Sequence, residues 1–226
     1  MRLLAAVLLI AAFWPSRKAV ADERYFALFC AHQTPDRRIE DAHSFVEFIR
    51  ADVQTDAPSV VLQRDTISWL PCDGKVRLIA AHPEAGCNLS LDATLERAGG
   101  RRISAWGPYE LTPAAYSMAL NRKAELESGV LGYKAAVVVP IRGRRMANCV
   151  HAAGEIDPDE GRVIQFELQY GDNAARQLVR HYVRRGYLCN PHLPHDDVYA
   201  ALGLDGWDIR RRNDWNRRFL GGIAAR

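Results

Sequence analysis

Beyond residue 21 this chain has no apolar run long enough to cross a bilayer as a helix, which leaves no membrane-spanning helix to be expected in the body of the protein. It also lacks the Gly-x-x-x-x-Gly-Lys and Gly-x-Gly-x-x-Gly strings that cradle phosphates, so no nucleotide cofactor is implied, and no other cofactor is expected. Internal repeats and low-complexity blocks are absent. Charge of one sign is scarce too. The 30 Lys and Arg against 27 Asp and Glu give +3, and Arg2, Arg17 and Lys18 account for that excess. From Asp22 onward the chain is neutral, and its basic clusters (Arg142-Arg144-Arg145, Arg184-Arg185, Arg210-Arg211-Arg212, Arg217-Arg218) read as solvated faces or a tail, so no nucleic-acid partner is expected.

The first 21 residues read as a secretory leader. Arg2 precedes the apolar stretch Leu3 to Trp14, and Ala19-Val20-Ala21 has the small-x-small pattern of a cleavage site. The expectation is a secreted or periplasmic protein beginning at Asp22, with no transmembrane segment after cleavage. Its five cysteines are an odd number for an oxidising compartment, so at least one stays free or pairs between molecules. With Cys149 free, Cys72 with Cys87 and Cys30 with Cys189 is one of three pairings; Cys30 also reads as a small buried hydrophobe in an apolar run.

Aromatic and β-branched residues at 24 to 31, 43 to 50, 60 to 70 and 76 to 81, separated by turn-forming stretches, predict strands of an antiparallel sheet. Helices are predicted at 90 to 98, 113 to 128 and 172 to 185. The second has Thr112 as N-cap, Pro113 at the first position and Gly129 beyond its end; the third has Asp172 as N-cap. A further strand is expected near Ile103 to Trp106, and Val130 to Val139 reads as extended. The fold class is α+β, with a core over residues 22 to 160 and a C-terminal helix and basic extension over 161 to 226 packed on it.

The string Asn148-Cys149-Val150-His151 places a cysteine at the first turn of a short helix, with Asn148 as N-cap and Gly154 as its stop. Backbone N–H groups and the helix dipole favour thiolate at such a position, which is what a nucleophile needs. His151 lies two residues along and points elsewhere, so the base must come from another part of the chain. His43, at the entry to a strand, is the candidate. Glu47 shares its face, pointing to the ring or to solvent. A second group, Cys189, His192 and His195, has sulfur and imidazole ligands at the short spacing zinc uses, but reads more simply as a stiff histidine-rich loop, so no metal site is assigned.

In the order His43, Tyr133, Asn148-Cys149 the chain resembles the permuted NlpC/P60 group of papain-like proteins, which includes lecithin retinol acyltransferase-like enzymes and bacterial thiol hydrolases. The resemblance covers about residues 24 to 155. Strings at 67 to 71, 106 to 109 and 126 to 129 are similar to ones in bacterial secreted proteins, with no activity attached. The resemblance implies a permuted papain-like core and a hydrolase or acyltransferase acting on an amide or ester bond through acyl-Cys149, with His43 as base. It puts an orienting residue on the strand after that of His43, where Ser68, Asp65 and Gln63 are available; Ser68 is carried forward with Cys149 and His43 as the catalytic set. Tyr133, Asn148 and Trp106 are the candidate substrate-binding residues, and the substrate would be a peptide, a glycan-peptide or a lipid. The alternative is a non-catalytic secreted or envelope binding module of the same fold.

Overall fold

A computed structural model describes residues 22–34, 36, 38–54, 57–136, 145–159 and 171–212. The leader at 1 to 21, the Arg-rich loop before Asn148 and the terminal Arg217-Arg218 lie outside these. The chain opens with a long hairpin, β1 (Asp22–His32) and β2 (His43–Val53), paired antiparallel from Asp22↔Val53 to His32↔His43. A single 3-10 turn, Ile39–Asp41, sits in the connection. β3 (Val60–Ile67) flanks β2; β6 (Ile103–Leu111) flanks β1, and β9 (Ile209–Arg211) closes the sheet parallel to β6. A smaller sheet is built from β4 (Trp69–Pro71), β5 (Glu84–Asn88), β7 (Leu131–Tyr133) and β8 (Arg145–Ala147), in that order. The predicted strand at 76 to 81 is not formed. Its place in the pairing is taken by β5, whose Cys87 bridges to Cys72 and so carries the strand back onto β4.

β1 and β2 are covered on both faces, which explains why they read as nearly continuous apolar runs. On one face Ala27, Phe29, Ala31, Val46 and Phe48 pack with α2 (Pro113–Glu127), α3 (Cys149–Gly154) and α4 (Gly171–Arg184). On the other, Phe26, Leu28, Cys30, Phe45 and Ile49 pack with α1 (Leu91–Ala98) and α5 (Asp196–Ala201). The architecture is α+β. Cys30 is buried in this second layer and Cys189 is exposed, so the anticipated bond between them is absent and both are free. The one disulfide among the described residues is Cys72–Cys87.

Local chemistry sets the helix ends. Ser90 and Thr112 accept from Ala93 and Ala115 backbone N–H, and Gly129 follows α2 at φ +77°. Asp172 lies within α4 rather than ahead of it, and pairs with Arg212 at 2.9 Å. Gly171 is a close-approach glycine: a Cβ there would stand 2.6 Å from the His32 carbonyl oxygen. Ser44 Oγ donates to the Gly171 carbonyl at 3.1 Å. Together these seat α4 on the end of the β1–β2 pair, where His32 and His43 lie opposite each other.

Candidate active site

Asn148 links β8 to α3 and builds the start of the helix. Its Oδ1 accepts from the backbone N–H of Val150 and His151, both at 3.0 Å, and its Nδ2 donates to the Ala135 carbonyl at 3.0 Å. His151 Nδ1 also lies 2.9 Å from Oδ1, and because an amide oxygen only accepts, Nδ1 carries that ring's proton. Asn148 is thus a helix cap and a tether for the segment after β7, with both polar atoms engaged. His151 is turned into this network.

Cys149 follows as the first helical residue and keeps some solvent contact. The backbone N–H groups of Ser44, Val150 and Cys149 itself face its sulfur and favour thiolate, yet burial outweighs them and pushes the thiol up. The expected thiolate is corrected: α3 has only six residues, too short for a large dipole, and desolvation of the anion wins. Tyr133 flanks the cysteine from β7. Burial, then the nearby Cys149 and Glu84 charges, push its phenol far up, so it stands as a neutral wall.

His43 is 2% exposed, and its Nε2 lies 2.9 Å from Ser68 Oγ. Ser68 Oγ is 2.8 Å from Thr94 Oγ1, which is 2.7 Å from the Ser90 carbonyl oxygen. A carbonyl cannot donate, so the single Thr94 hydroxyl proton goes to Ser90. Thr94 then accepts from Ser68, and Ser68 accepts from His43 Nε2–H. The relay fixes the tautomer: Nδ1 carries the lone pair, and it is buried without a hydrogen-bond partner. Burial, then His32 and Arg97, lower the His43 pKa well below its ordinary value, so the ring is neutral at neutral pH. Ser68 is itself held by its backbone N–H, which donates to Asn88 Oδ1 at 2.8 Å. Gln63 and Asp65 alternate onto the other face of β3, where Gln63 donates to Asp65 at 2.7 Å and Asp65 pairs with Lys123 of α2 at 3.6 Å. Of the three orienting candidates, Ser68 is the one at His43.

The contact between Cys149 and this strand is at Ser44, the residue bonded to His43. β3 pairs with β2 only from Val46 onward, so the edge of β2 is open there and the start of α3 fits against it. Strand alternation puts His43, stacked on Phe45 at 5.7 Å, on the α1 face, whereas α3 belongs to the opposite layer. The sulfur therefore meets the strand along its edge. Trp106 is not part of this arrangement: it is buried on β6, with β1 between it and β2, and the Arg176 guanidinium lies 5.9 Å from its ring. Glu47 does not face solvent; it is buried against Arg64 at 3.0 Å and Thr66, and burial raises its pKa.

Thr94, Ser44 and His32 were not among the sequence candidates. Thr94 could have been found as an inward hydroxyl on the 90 to 98 helix, and His32 as the partner of His43 across a hairpin. Among the described residues no three of His, Cys, Asp and Glu are grouped to hold a metal ion, so Cys189, His192 and His195 gain no support as ligands. The chain matches no protein-family profile, and no curated protein or solved structure is similar to it at a significant level.

Proposed function

We propose that this chain is an exported cysteine-dependent hydrolase or acyltransferase with a permuted papain-like core, acting on an amide or ester bond of a peptide, glycan-peptide or lipid. Cys149 is the nucleophile, His43 the base, and Ser68 the positioning residue that fixes the His43 tautomer. The observation that carries this reading is the relay from His43 through Ser68 and Thr94 to Ser90, because it leaves Nδ1 as the unprotonated nitrogen of a ring on the strand whose Ser44 N–H faces the Cys149 sulfur. In the reaction the thiol proton passes to Nδ1 as sulfur bonds to the carbonyl carbon. His43 returns that proton to the departing amine or alcohol, and water or an acceptor alcohol then cleaves the thioester and restores the thiol.

The test is acyl trapping. The chain from Asp22 is incubated with a p-nitrophenyl ester, and peptide mass mapping locates the acyl group. Acylation on Cys149 that falls at least about a hundred-fold in His43→Ala supports the enzyme. Acylation absent, or unchanged in His43→Ala, removes it. A second reading, a non-catalytic binding module, is favoured by the placement of His43 and α3 on opposite layers and by the burial that holds Cys149 as thiol.

A further inference from the structure

On the α1 side of His43 the structure forms an open cavity of about 290 Å³, bounded by His32, His43, Arg97, Arg101, Glu40 and Asp41. This is the lower end of the size range of small-molecule sites. Leu70 and Val76 supply apolar wall. His32 and His43 are 4% and 2% exposed, their ring centroids are 5.6 Å apart, and His43 Nδ1 has no hydrogen-bond partner.

The two acids and two arginines do not cancel. Glu40 is held by Arg38 at 2.9 Å, and Asp41 stands 3.9 Å from Arg101, at the far limit of an ion pair. Arg97 donates to the Gly74 carbonyl and has no carboxylate within ion-pair distance among the described residues. A guanidinium has five N–H donors in a planar fork that matches a carboxylate, and one carbonyl leaves most of them available. The field of these cations reaches the rings: His32 is lowered to about 4 by burial, then by Arg101 and Arg97.

We propose that this cavity binds the carboxylate of a small organic acid, with Arg97 as the principal cation and the apolar wall of Leu70 and Val76 receiving its carbon skeleton. The site stands without the acyl-transfer reading, since it concerns binding alone. An anion here offsets Arg97 and Arg101 and so makes His32 and His43 more basic.

The test is a titration of the chain from Asp22, followed by NMR of the histidine ring C–H signals, with sodium butyrate and inorganic phosphate as separate probes. Butyrate should shift the His32 and His43 signals saturably. Arg97→Gln, a substitution of an exposed side chain, should weaken this by about ten-fold or more, the loss of one charge-assisted pair. Arg102→Gln, which is outside the cavity, should leave it unchanged. Three results would each overturn the proposal: ring signals unmoved by butyrate, shifts from phosphate alone, or shifts equal in wild type and Arg97→Gln when thermal melting shows the variant folded.

Discussion

Asn148 and Ser68 each fix a neighbour's chemistry through hydrogen bonds rather than by touching a reacting atom. Asn148→Ala removes the acceptor for the Val150 and His151 N–H groups and the donor to Ala135, all buried. It should destabilise the fold by about 2 kcal/mol, at the upper end of cap losses, as measured by urea unfolding. Ser68→Ala leaves His43 Nε2–H without its acceptor and releases the tautomer. It should slow acylation of Cys149 by about ten-fold, the equivalent of one lost hydrogen bond. A Ser68→Thr chain that keeps the hydroxyl should recover most of that loss, whereas a packing role alone would give no such recovery. The cysteine makes its own prediction. Because burial holds it as thiol, iodoacetamide labelling of Cys149 should rise with a midpoint above the roughly 8.5 of a free thiol, and faster labelling than a free thiol near pH 6 would show that the enclosed sulfur is not desolvated as described.

At the scale of elements, what was legible in the sequence is what local chemistry dictates. Ser90, Thr112-Pro113 and Asn148 mark helix starts by their own capping bonds, and the apolar runs at 24 to 31 and 43 to 50 mark strands sandwiched between layers. The elements that could not be read are those made by partners distant in sequence. β5 carries Glu84-Ala85-Gly86-Cys87-Asn88, with no β-branched residue, and is a strand because β4, β7 and the disulfide hold it. β9 has three residues and exists only beside β6. The site divides the same way. Cys149 at a helix start followed from spacing, and Ser68 beside His43 was one of three positions the resemblance implied, but the balance between helix terminus and burial at Cys149, and the engagement of Asn148, depend on packing that no spacing encodes. Gly171 gives the test at this scale. Gly171→Ala drives a methyl against the His32 carbonyl and Ala31 and must lift the first turn of α4 from the β1–β2 pair. A loss of roughly 1 to 3 kcal/mol is expected in urea unfolding, the range for overpacking, together with shifted His32 and His43 ring signals.

For the whole molecule the histidines set the response to acid. His32 and His43, and to a smaller degree the half-buried His181 and His195, have folded pKa values below the unfolded one, with desolvation the first cause in each. Each is neutral in the fold and takes up a proton more readily when unfolded, so its contribution is fully present above the unfolded value of about 6.5 and is lost as pH falls toward the folded one. For His32 that window runs from 6.5 down to about 4. Within it a single such group removes up to about 1.4 kcal/mol of stability per pH unit. Glu47 works in the opposite sense: its raised folded pKa gives stability that is present below its unfolded value and lost as pH rises through the folded one. Among the described residues Glu47 therefore opposes several imidazoles, and the histidines prevail. The urea midpoint should fall steadily as pH is lowered from 7 to 5, with the unfolding slope per molar urea unchanged. His32→Asn should flatten that dependence by about one histidine's share, because it removes one proton-uptake site from the unfolded chain. A midpoint that stayed level or rose between pH 7 and 5 would mean that the paired rings at the end of β1 and β2 are charged or solvated, and the neutral base assigned to His43 would go with them.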